Sequence, residues 1–150
     1  ASHDDATEDH VDEAIELGMT ISEFPTTHAA AAAAAAKGMR IIAGSPNLVR
    51  GGSHSGNVSA TALAENGHLD ALSSDYVPVS LLQSAFLLHE RVLKDLPAAV
   101  QKVSATPAQM VGLHDRGQIA EGLRADLLQV SDNFEAPVIR QVWREGARVA

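Results

Sequence analysis

The sequence predicts an α/β fold in which parallel strands alternate with helices, followed by a short antiparallel β segment. Segments of strand length and helix length alternate up to Leu96, and the pattern then changes. Short connections of this kind favour parallel strands with right-handed crossovers. The chain has 150 residues, of which 45% are hydrophobic and only 3% aromatic, so we expect a real core that is aliphatic.

The first predicted unit pairs a helix with a strand. Apolar residues recur at helical spacing through residues 5–18. Asp5 and Glu8 have the spacing of a capping box, and Gly18 is a natural carboxyl-terminal stop. Residues 19–24 then predict a short strand, which ends at Pro25.

The second unit contains a run of alanines. Thr27 can cap this helix, and Lys37-Gly38 ends it. The run could be a low-complexity tract, but alanine is the best helix former and lets a helix approach a sheet closely. Residues 39–43 predict the next strand, and Gly44-Ser45-Pro46 closes it.

The third unit follows the same order. Residues 58–66 predict a helix that ends at Gly67, and residues 69–73 predict a strand. Another helix is predicted from near Pro78 through Leu93. The chain opens without methionine and without a full leading strand, so we expect it to be a piece of a longer protein.

After Leu96 the pattern changes to short helices and antiparallel strands. We place a boundary near residues 113 to 118, so that residues 1–113 form the parallel domain and residues 114–150 part of a separate small sheet. The elements predicted after the change are two short helices, at residues 97–104 and from residue 106 to near 113, and strands at residues 125–130, 138–143 and 148–149.

Composition and charge argue against several classes of function. The chain has no cysteine, which excludes disulfides, thiolate metal sites and cysteine nucleophiles and suits a reducing compartment such as the cytoplasm. The net charge is −8 and no basic stripe is present, so no nucleic-acid partner is expected. The longest apolar run is too short to span a bilayer, and no signal peptide is visible, so no membrane partner is expected.

Polar side chains follow four predicted strands, at the end where function gathers in parallel α/β folds. His3 and Asp75 are the sharpest pair, because imidazole and carboxylate suit zinc, iron or manganese. A carboxylate beside such a metal can also accept a proton from water. The alternative is a buried histidine bonded to a neighbouring aspartate, with Asp75 as a helix cap. The polar residues at these ends include His3, Asp4, Asp5, Glu23, Thr26, Ser45, Asn47, Ser73, Ser74, Asp75 and Tyr76.

The loop RGGSHSGN, residues 50–57, offers a second candidate site. Arg50 provides a planar fork of donors, and the glycines expose backbone N–H groups. The loop precedes a helix, whose amino terminus could hold an anion. The alternative is a permissive turn with Asn57 as the helix cap, and the loop lacks the P-loop pattern. Further donors in the loop are Ser53, His54, Ser55 and Asn57.

Residues 106–130, TPAQMVGLHDRGQIAEGLRADLLQV, resemble the closing segment of the amidohydrolase superfamily. The segments SHDD, EFPTT and LSSDYVP, with the RGGSHSGN loop, resemble one branch that acts in phosphonate metabolism. The resemblance implies the C-terminal half of a (β/α)8 TIM-type barrel, followed by a short antiparallel segment of a small β-sandwich. The residues that match the closing segment are Gly117, Ile119, Gly122, Ala125, Asp126 and Leu127.

The resemblance implies a metal-dependent hydrolase that cleaves a phosphoanhydride bond of a small phosphorylated ribose phosphonate. His3 would bind a divalent metal, zinc in the first instance, with iron or manganese as alternatives. Asp75 would bind the metal and accept the proton of the attacking water. Glu23 stands where many members carry a second histidine, which leaves the number of metals open. The residues that would face the substrate are Arg50, Ser53, His54 and Ser55.

The resemblance also implies that the chain by itself is inactive, because the ligands of the other half are missing. Open parallel edges invite pairing, so we expect a homo-oligomer or association with the missing amino-terminal half. Two alternatives remain open at this point. One is another amidohydrolase, acting on a cyclic amide or as a deaminase, and the other is a non-catalytic binding domain with the same fold.

Overall fold

The computed structural model describes residues 1–53, 55–132 and 136–150. Four strands form a parallel sheet in the order β1-β2-β3-β4, and three form an antiparallel sheet in the order β5-β6-β7. The predicted α/β class, the parallel order and the antiparallel tail are confirmed. The strands are β1 (Ser2–His3), β2 (Ile21–Glu23), β3 (Arg40–Gly44), β4 (Ala71–Ser73), β5 (Leu127–Ser131), β6 (Val138–Arg144) and β7 (Ala147–Arg148).

Helices connect the parallel strands and continue to the antiparallel sheet. Each predicted helix of the parallel part is present, although most are shorter than predicted. The helices are α1 (Glu8–Glu16), α2 (His28–Ala36), α3 (Ser45–Arg50), α4 (Ala60–Glu65), α5 (Ser80–Leu88), α6 (Leu96–Gln101) and α7 (Ala105–Met110), with a π-helical turn at His89–Leu93 after α5. Within the described residues, no helix combines the length and the apolar character that crossing a bilayer requires.

The register of the parallel sheet brings four strand ends to one edge. His3 of β1 is aligned with Glu23 of β2, which is aligned with Ile42 of β3. Gly44 of β3 is aligned with Ser73 of β4. Residues that directly follow these strands therefore lie along one edge of the sheet. We call it the carboxyl edge, because the carboxyl ends of the four strands meet there.

The core of the parallel part is aliphatic and rich in alanine, as predicted. Ala30, Ala31 and Ala34 of α2 are fully buried. Thr27 caps α2 by accepting a hydrogen bond from the backbone N–H of Ala30 at 3.0 Å. Larger side chains such as Ile41 are also fully buried, and each contributes about 1.5–3 kcal/mol to folding.

The predicted capping role of Asp5 is wrong. Thr7 is the cap of α1, and its hydroxyl accepts a hydrogen bond from the backbone N–H of His10. The Asp5 carboxylate is instead buried between β1 and β2, where it accepts hydrogen bonds from the hydroxyls of Ser2 and Ser22, both at 2.6 Å. Tertiary contacts with two strand hydroxyls therefore outweigh the local capping geometry.

The segment after β3 was expected to be a turn and a loop, but its first part is helix α3. Pro46 lies in the first turn, where its fixed φ is favourable and its missing N–H costs nothing. Gly51 ends the helix with a φ of +86°. Asn57 does not cap the next helix, because α4 begins at Ala60 and its cap is Ser59.

The antiparallel sheet is separated from the parallel sheet by α6, α7 and the residues that follow them. Gly117 touches the start of α7: a Cβ added to it would lie 2.7 Å from the Cα of Ala105. Arg124 lies 2.6 Å from an oxygen of Asp126 and 3.1 Å from one of Glu145. The position of the domain boundary near residues 113 to 118 stays a prediction.

Candidate functional site

A cavity of about 140 Å³ opens at the carboxyl edge, between the ends of β3 and β4. Four residues predicted for the site line it together: Arg50, Ser53, Asn57 and Asp75. The parallel topology explains why, since the loops after neighbouring strands share one edge. A cationic guanidinium and a carboxylate therefore face the same small volume. Other residues that line it include Phe24, Gly44, Asn47 and Tyr76.

Arg50 is the last residue of α3, and its side chain extends toward the loop after β4. Its Nη2 donates a hydrogen bond to the phenol oxygen of Tyr76 at 2.8 Å. A second hydrogen bond stabilises helix α3 itself: Nη1 of Arg91, in the π-helical turn, donates to the carbonyl of Leu48 at 3.2 Å. The guanidinium of Arg50 is thus held by Tyr76, and the helix that carries Arg50 is held at Leu48.

Asp75 follows β4 in a left-handed conformation, with a φ of +48°. Its backbone N–H donates to the hydroxyl of Ser73 at 3.2 Å. Gly44 lies opposite: a Cβ there would lie 3.6 Å from Oδ2 of Asp75 and 3.8 Å from Cε1 of Phe24. The end of β3 therefore approaches both side chains closely, and the Asp75 carboxylate forms part of the cavity wall.

The amino terminus of α4 is already engaged within the protein. The N–H of Ala60 donates to Oδ1 of Asn47, and the N–H of Ala62 donates to the hydroxyl of Ser59, both at 3.0 Å. An anion held in the cavity would therefore meet side chains of the loop. Of these, Ser53 lines the cavity, and Ser55 is exposed beside it, with its N–H donating to the hydroxyl of Ser53 at 3.3 Å. The predicted donor His54 lies outside the described residues.

His3 stands at the end of β1, on the other side of Phe24 from the cavity. Its Nδ1 lies 3.0 Å from Oδ2 of Asp4. Its ring meets the ring of Phe24 edge to face, with centroids 5.2 Å apart. Phe24 lines the cavity that Asp75 lines, whereas His3 does not. The two predicted metal ligands therefore share the carboxyl edge but do not line one cavity.

The side chains of His3 and Asp75 can be compared with the ligands that a divalent metal requires. An imidazole whose Nδ1 faces a carboxylate has the arrangement found at metal-binding histidines, where that contact orients the ring and leaves Nε2 for the metal. The Asp75 carboxylate is also a suitable ligand. His3 and Asp75 thus fit a metal in chemistry. Among residues 1–53, 55–132 and 136–150, no three histidine, aspartate or glutamate side chains converge into a metal-binding group.

Three non-glycine residues at the carboxyl edge have positive φ. Asp4 follows β1, Phe24 follows β2 and Asp75 follows β4, with φ of 58°, 57° and 48°. Such conformations cost energy and cluster at functional sites. Their coincidence with three of the four strand ends independently marks this edge as the candidate site.

Sequence analysis assigned no role to Phe24, Asn47 or Tyr76, although all three line the cavity. Asn47 and Tyr76 were noted among the polar residues at strand ends, and that position was the available signal. Phe24 was treated only as the last residue of a strand. It has a left-handed backbone, which the sequence does not reveal, and its side chain lines the cavity.

Comparisons with known proteins identify a family and several relatives. The sequence model described as "Amidohydrolase family" matches residues 1–150. The alpha-D-ribose 1-methylphosphonate 5-triphosphate diphosphatase of Escherichia coli (strain K12) is 53% identical over 99% of this chain. The match covers 40% of that protein, so the chain spans well under half the length of this relative.

Two further comparisons are more distant. The adenine deaminase 2 of Latilactobacillus sakei subsp. sakei (strain 23K) is 32% identical over 63% of the chain, a match that covers 14% of the deaminase. The crystal structure of an amidohydrolase from Thermotoga maritima MSB8 superposes with a TM-score of 0.75 at 20% identity, covering 99% of this chain and 42% of that one. At this identity the superposition shows a shared fold.

Proposed function

The chain belongs to the amidohydrolase family, and we propose that it is the carboxyl-terminal portion of a metal-dependent diphosphatase. The substrate would be alpha-D-ribose 1-methylphosphonate 5-triphosphate, hydrolysed to the 5-phosphate and pyrophosphate. The observation that carries the proposal is the single cavity lined by both Arg50 and Asp75. The 53% identity to the diphosphatase from Escherichia coli supports the choice of substrate.

In this proposal the four parallel strands are the second half of a (β/α)8 barrel. The carboxyl edge would then be the face of the barrel where active sites lie. The antiparallel strands would belong to a small β-sandwich beside the barrel. The superposition on the amidohydrolase from Thermotoga maritima, which covers 42% of that chain, supports this division of the fold.

The loop after β3 would bind the polyphosphate. The guanidinium of Arg50 presents a planar fork that matches two phosphoryl oxygens, and charge-assisted hydrogen bonds of this kind are about twice as strong as neutral ones. Ser53 and Asn57, which line the same cavity, would add neutral donors. The predicted contacts of His54 and Ser55 with the substrate are retained as part of this proposal.

His3 and Asp75 would contribute to a divalent metal site, with zinc as the first choice and iron or manganese as alternatives. A divalent metal at such a site supplies Lewis-acid activation of the phosphoryl group and of water. Asp4 would orient the imidazole of His3 through its contact with Nδ1. The Asp75 carboxylate would accept the proton of the attacking water at one of its oxygens.

We expect catalysis to require the rest of such a protein, since the chain spans 40% of the diphosphatase it matches. The remaining metal ligands would come from that portion. The chain by itself is then expected to be inactive and to associate with the missing half or with a second copy. Diphosphatase activity of the isolated chain with added metal would contradict this expectation.

The main alternative within the family is a hydrolase of cyclic amides or a deaminase. The 32% identity to adenine deaminase 2 favours it over other candidates. A neutral ring substrate does not require a guanidinium at the cavity, however, and Arg50 is therefore the residue that separates the two functions. A non-catalytic binding domain would also keep the fold, but bind no catalytic metal.

The test compares arginine variants of the full-length protein that contains this chain. Arg50→Ala should raise the KM for the triphosphate substrate about tenfold to a hundredfold, as expected for the loss of hydrogen bonds to a charged group. Arg40→Ala is the matched control, because Arg40 begins β3 at the opposite edge of the sheet and pairs with Asp70. Asp75→Asn should reduce kcat without the same effect on KM.

Two results would contradict the proposal. One is unchanged kinetics of the Arg50 variant, which would favour a neutral substrate. The other is an intact, purified protein that contains no transition metal by elemental analysis, which would favour the non-catalytic alternative.

A further inference from the structure

We propose that Tyr76 is a positioning residue for Arg50, and that its phenol oxygen holds the guanidinium at the cavity before the substrate arrives. The inference rests on the proposed function for the identity of the anion, a polyphosphate. It concerns how the arginine is prepared for that anion. Neither the resemblance nor the comparisons assign a role to Tyr76.

The geometry joins the loops of two neighbouring strands. Tyr76 comes after β4, and Arg50 ends the helix that follows β3. Nη2 of Arg50 lies 2.8 Å from the phenol oxygen of Tyr76, and both residues line the cavity beside Asp75. The hydrogen bond therefore fixes the tip of Arg50 from the opposite wall of the site.

The exposure of Tyr76 argues against a core role. Its side chain is 60% exposed, so burial of the ring contributes little to folding. An exposed arginine has about 2 kcal/mol of rotamer entropy, part of which is lost when it binds a ligand. A partner that already orders the guanidinium reduces that loss at the moment of binding.

The partner of Arg50 differs in charge from the partners of three other arginines. Arg40 pairs with Asp70, Arg116 with Asp115 and Arg124 with Asp126. Those contacts neutralise the guanidinium charge. The partner of Arg50 is a phenol oxygen rather than a carboxylate, and the hydrogen bond uses one of the five guanidinium N–H donors. Arg50 is therefore oriented while its full positive charge is kept for an anion.

The test is a double-mutant cycle in the full-length, metal-loaded enzyme. Tyr76→Phe keeps the ring and removes only the phenol oxygen. We expect it to raise KM for the triphosphate about threefold to tenfold, the range of one hydrogen bond, and to leave kcat and the thermal midpoint unchanged. Binding of inorganic tripolyphosphate, measured by calorimetry, should weaken by the same factor. In the Arg50→Ala background, Tyr76→Phe should have no further effect.

Each other outcome has a definite meaning. If Arg50→Ala weakens substrate binding and Tyr76→Phe does not, this inference is wrong while the proposed function stands. If Tyr76→Phe weakens binding equally with and without Arg50, the tyrosine acts on the substrate by itself and the positioning role is wrong. If Arg50→Ala has no effect, both the inference and the polyphosphate site are overturned.

Discussion

The parallel part and the antiparallel sheet differ in the interactions that stabilise each of them. In the parallel part, fully buried alanines of α2 and aliphatic residues such as Ile41 form the core. In the antiparallel sheet, Leu128 and Ile139 are 54% and 48% exposed. That sheet is held by backbone pairing between its strands, with ion pairs of Arg124 to Asp126 and Glu145 beside it. Before the sheet, Gly117 packs closely against Ala105 of α7.

The difference also separates the closing segment, residues 106–130, from the candidate site. The tail that carries the matching glycines and Asp126 contains none of the candidate site residues. Those residues lie at or after the carboxyl ends of strands of the parallel sheet, whose buried core can hold a side chain in position. We therefore expect substitutions in the two parts to change stability through the loss of different interactions, and the following experiments test this.

The largest effect is expected from Gly117→Ala. A Cβ at this position would lie 2.7 Å from the Cα and 3.0 Å from the N of Ala105, and the glycine has a φ of +92°. Backbone atoms cannot move aside cheaply, so the free energy of unfolding should fall by about 3–5 kcal/mol, from overpacking and strain combined. Denaturant-induced unfolding measures this loss.

Gly122→Ala is the matched control for that substitution. Gly122 also has a positive φ, +82°, but no heavy atom lies within 4 Å of its added Cβ. Only the conformational strain remains, about 1–2 kcal/mol. Equal losses in the two variants would show that the close contact of Gly117 with α7 adds no cost to the strain of its backbone.

The second largest loss of stability is expected from removing the carboxylate of Asp5, which is buried between β1 and β2. Asp5→Ala removes the acceptor that the hydroxyls of Ser2 and Ser22 share. Ser22 then loses its partner, and Ser2 keeps only a long contact of 3.4 Å with the carbonyl of Ile21. The free energy of unfolding should fall by about 3 kcal/mol, as expected for buried groups without partners. Both hydroxyls donate to the same oxygen, Oδ2, so Asp5→Asn can keep both bonds with its amide oxygen and should cost less than Asp5→Ala. A loss below about 0.5 kcal/mol would be typical of a surface site and would remove the contrast between the two sheets.

A smaller effect is expected in acid, in the antiparallel sheet. The N–H of Glu145, which donates to Asp126, holds the pKa of that carboxyl below its ordinary 3.8, and the charge of Arg124 adds to this. A lowered pKa in the folded state means that the stabilisation is present above pH 3.8 and is lost as the pH falls below it. Asp126→Asn should therefore make unfolding less dependent on pH in this range. A variant with the same acid profile as the parent would contradict the assignment.

The smallest change in stability is expected at alkaline pH, from the contact of Lys37 with carboxylates of α1. The carboxylates of Asp12 and Glu8 raise the pKa of Lys37 above its ordinary 10.5. The contact thus stabilises the fold below pH 10.5 and is lost as the pH rises through the raised pKa. Lys37→Gln should flatten the alkaline limb of stability, and added salt should reduce the difference because the pair is exposed. A salt-independent difference would point to packing instead.

Most of the parallel part could be predicted because its signals are local. The alanine run, Thr27 and Gly38 identify α2 from propensity and capping alone. Helix α3 could not be predicted, since its six residues lie where the sequence favours a turn and only Pro46 indicates a first helical turn. The role of Asp5 could not be predicted either, because capping spacing and burial between two strands compete, and only the tertiary structure decides between them.

The candidate site was predictable to the extent that topology determines it. Parallel strand ends share an edge, so polar side chains after the strands were expected to gather there, and Arg50 and Asp75 line one cavity. The pair named in advance was His3 and Asp75, and His3 does not line that cavity. The hydrogen bond between Arg50 and Tyr76 depends on two side-chain orientations in separate loops, which no local pattern encodes. The functions of His3 and Asp75 as metal ligands, and of Ser53, Ser55, Asn57 and His54 as substrate contacts, stay predictions.

The left-handed residues at the carboxyl edge have a consequence for protein engineering. Glycine would adopt the backbone of Phe24 without the roughly 1–2 kcal/mol that a side chain costs there. A selection for heat resistance alone would therefore favour glycine at position 24, and it would remove the ring that touches His3 and lines the cavity. A selection that also demands turnover would keep the ring. Directed evolution under the two regimes should thus diverge first at this position, where stability and activity trade off.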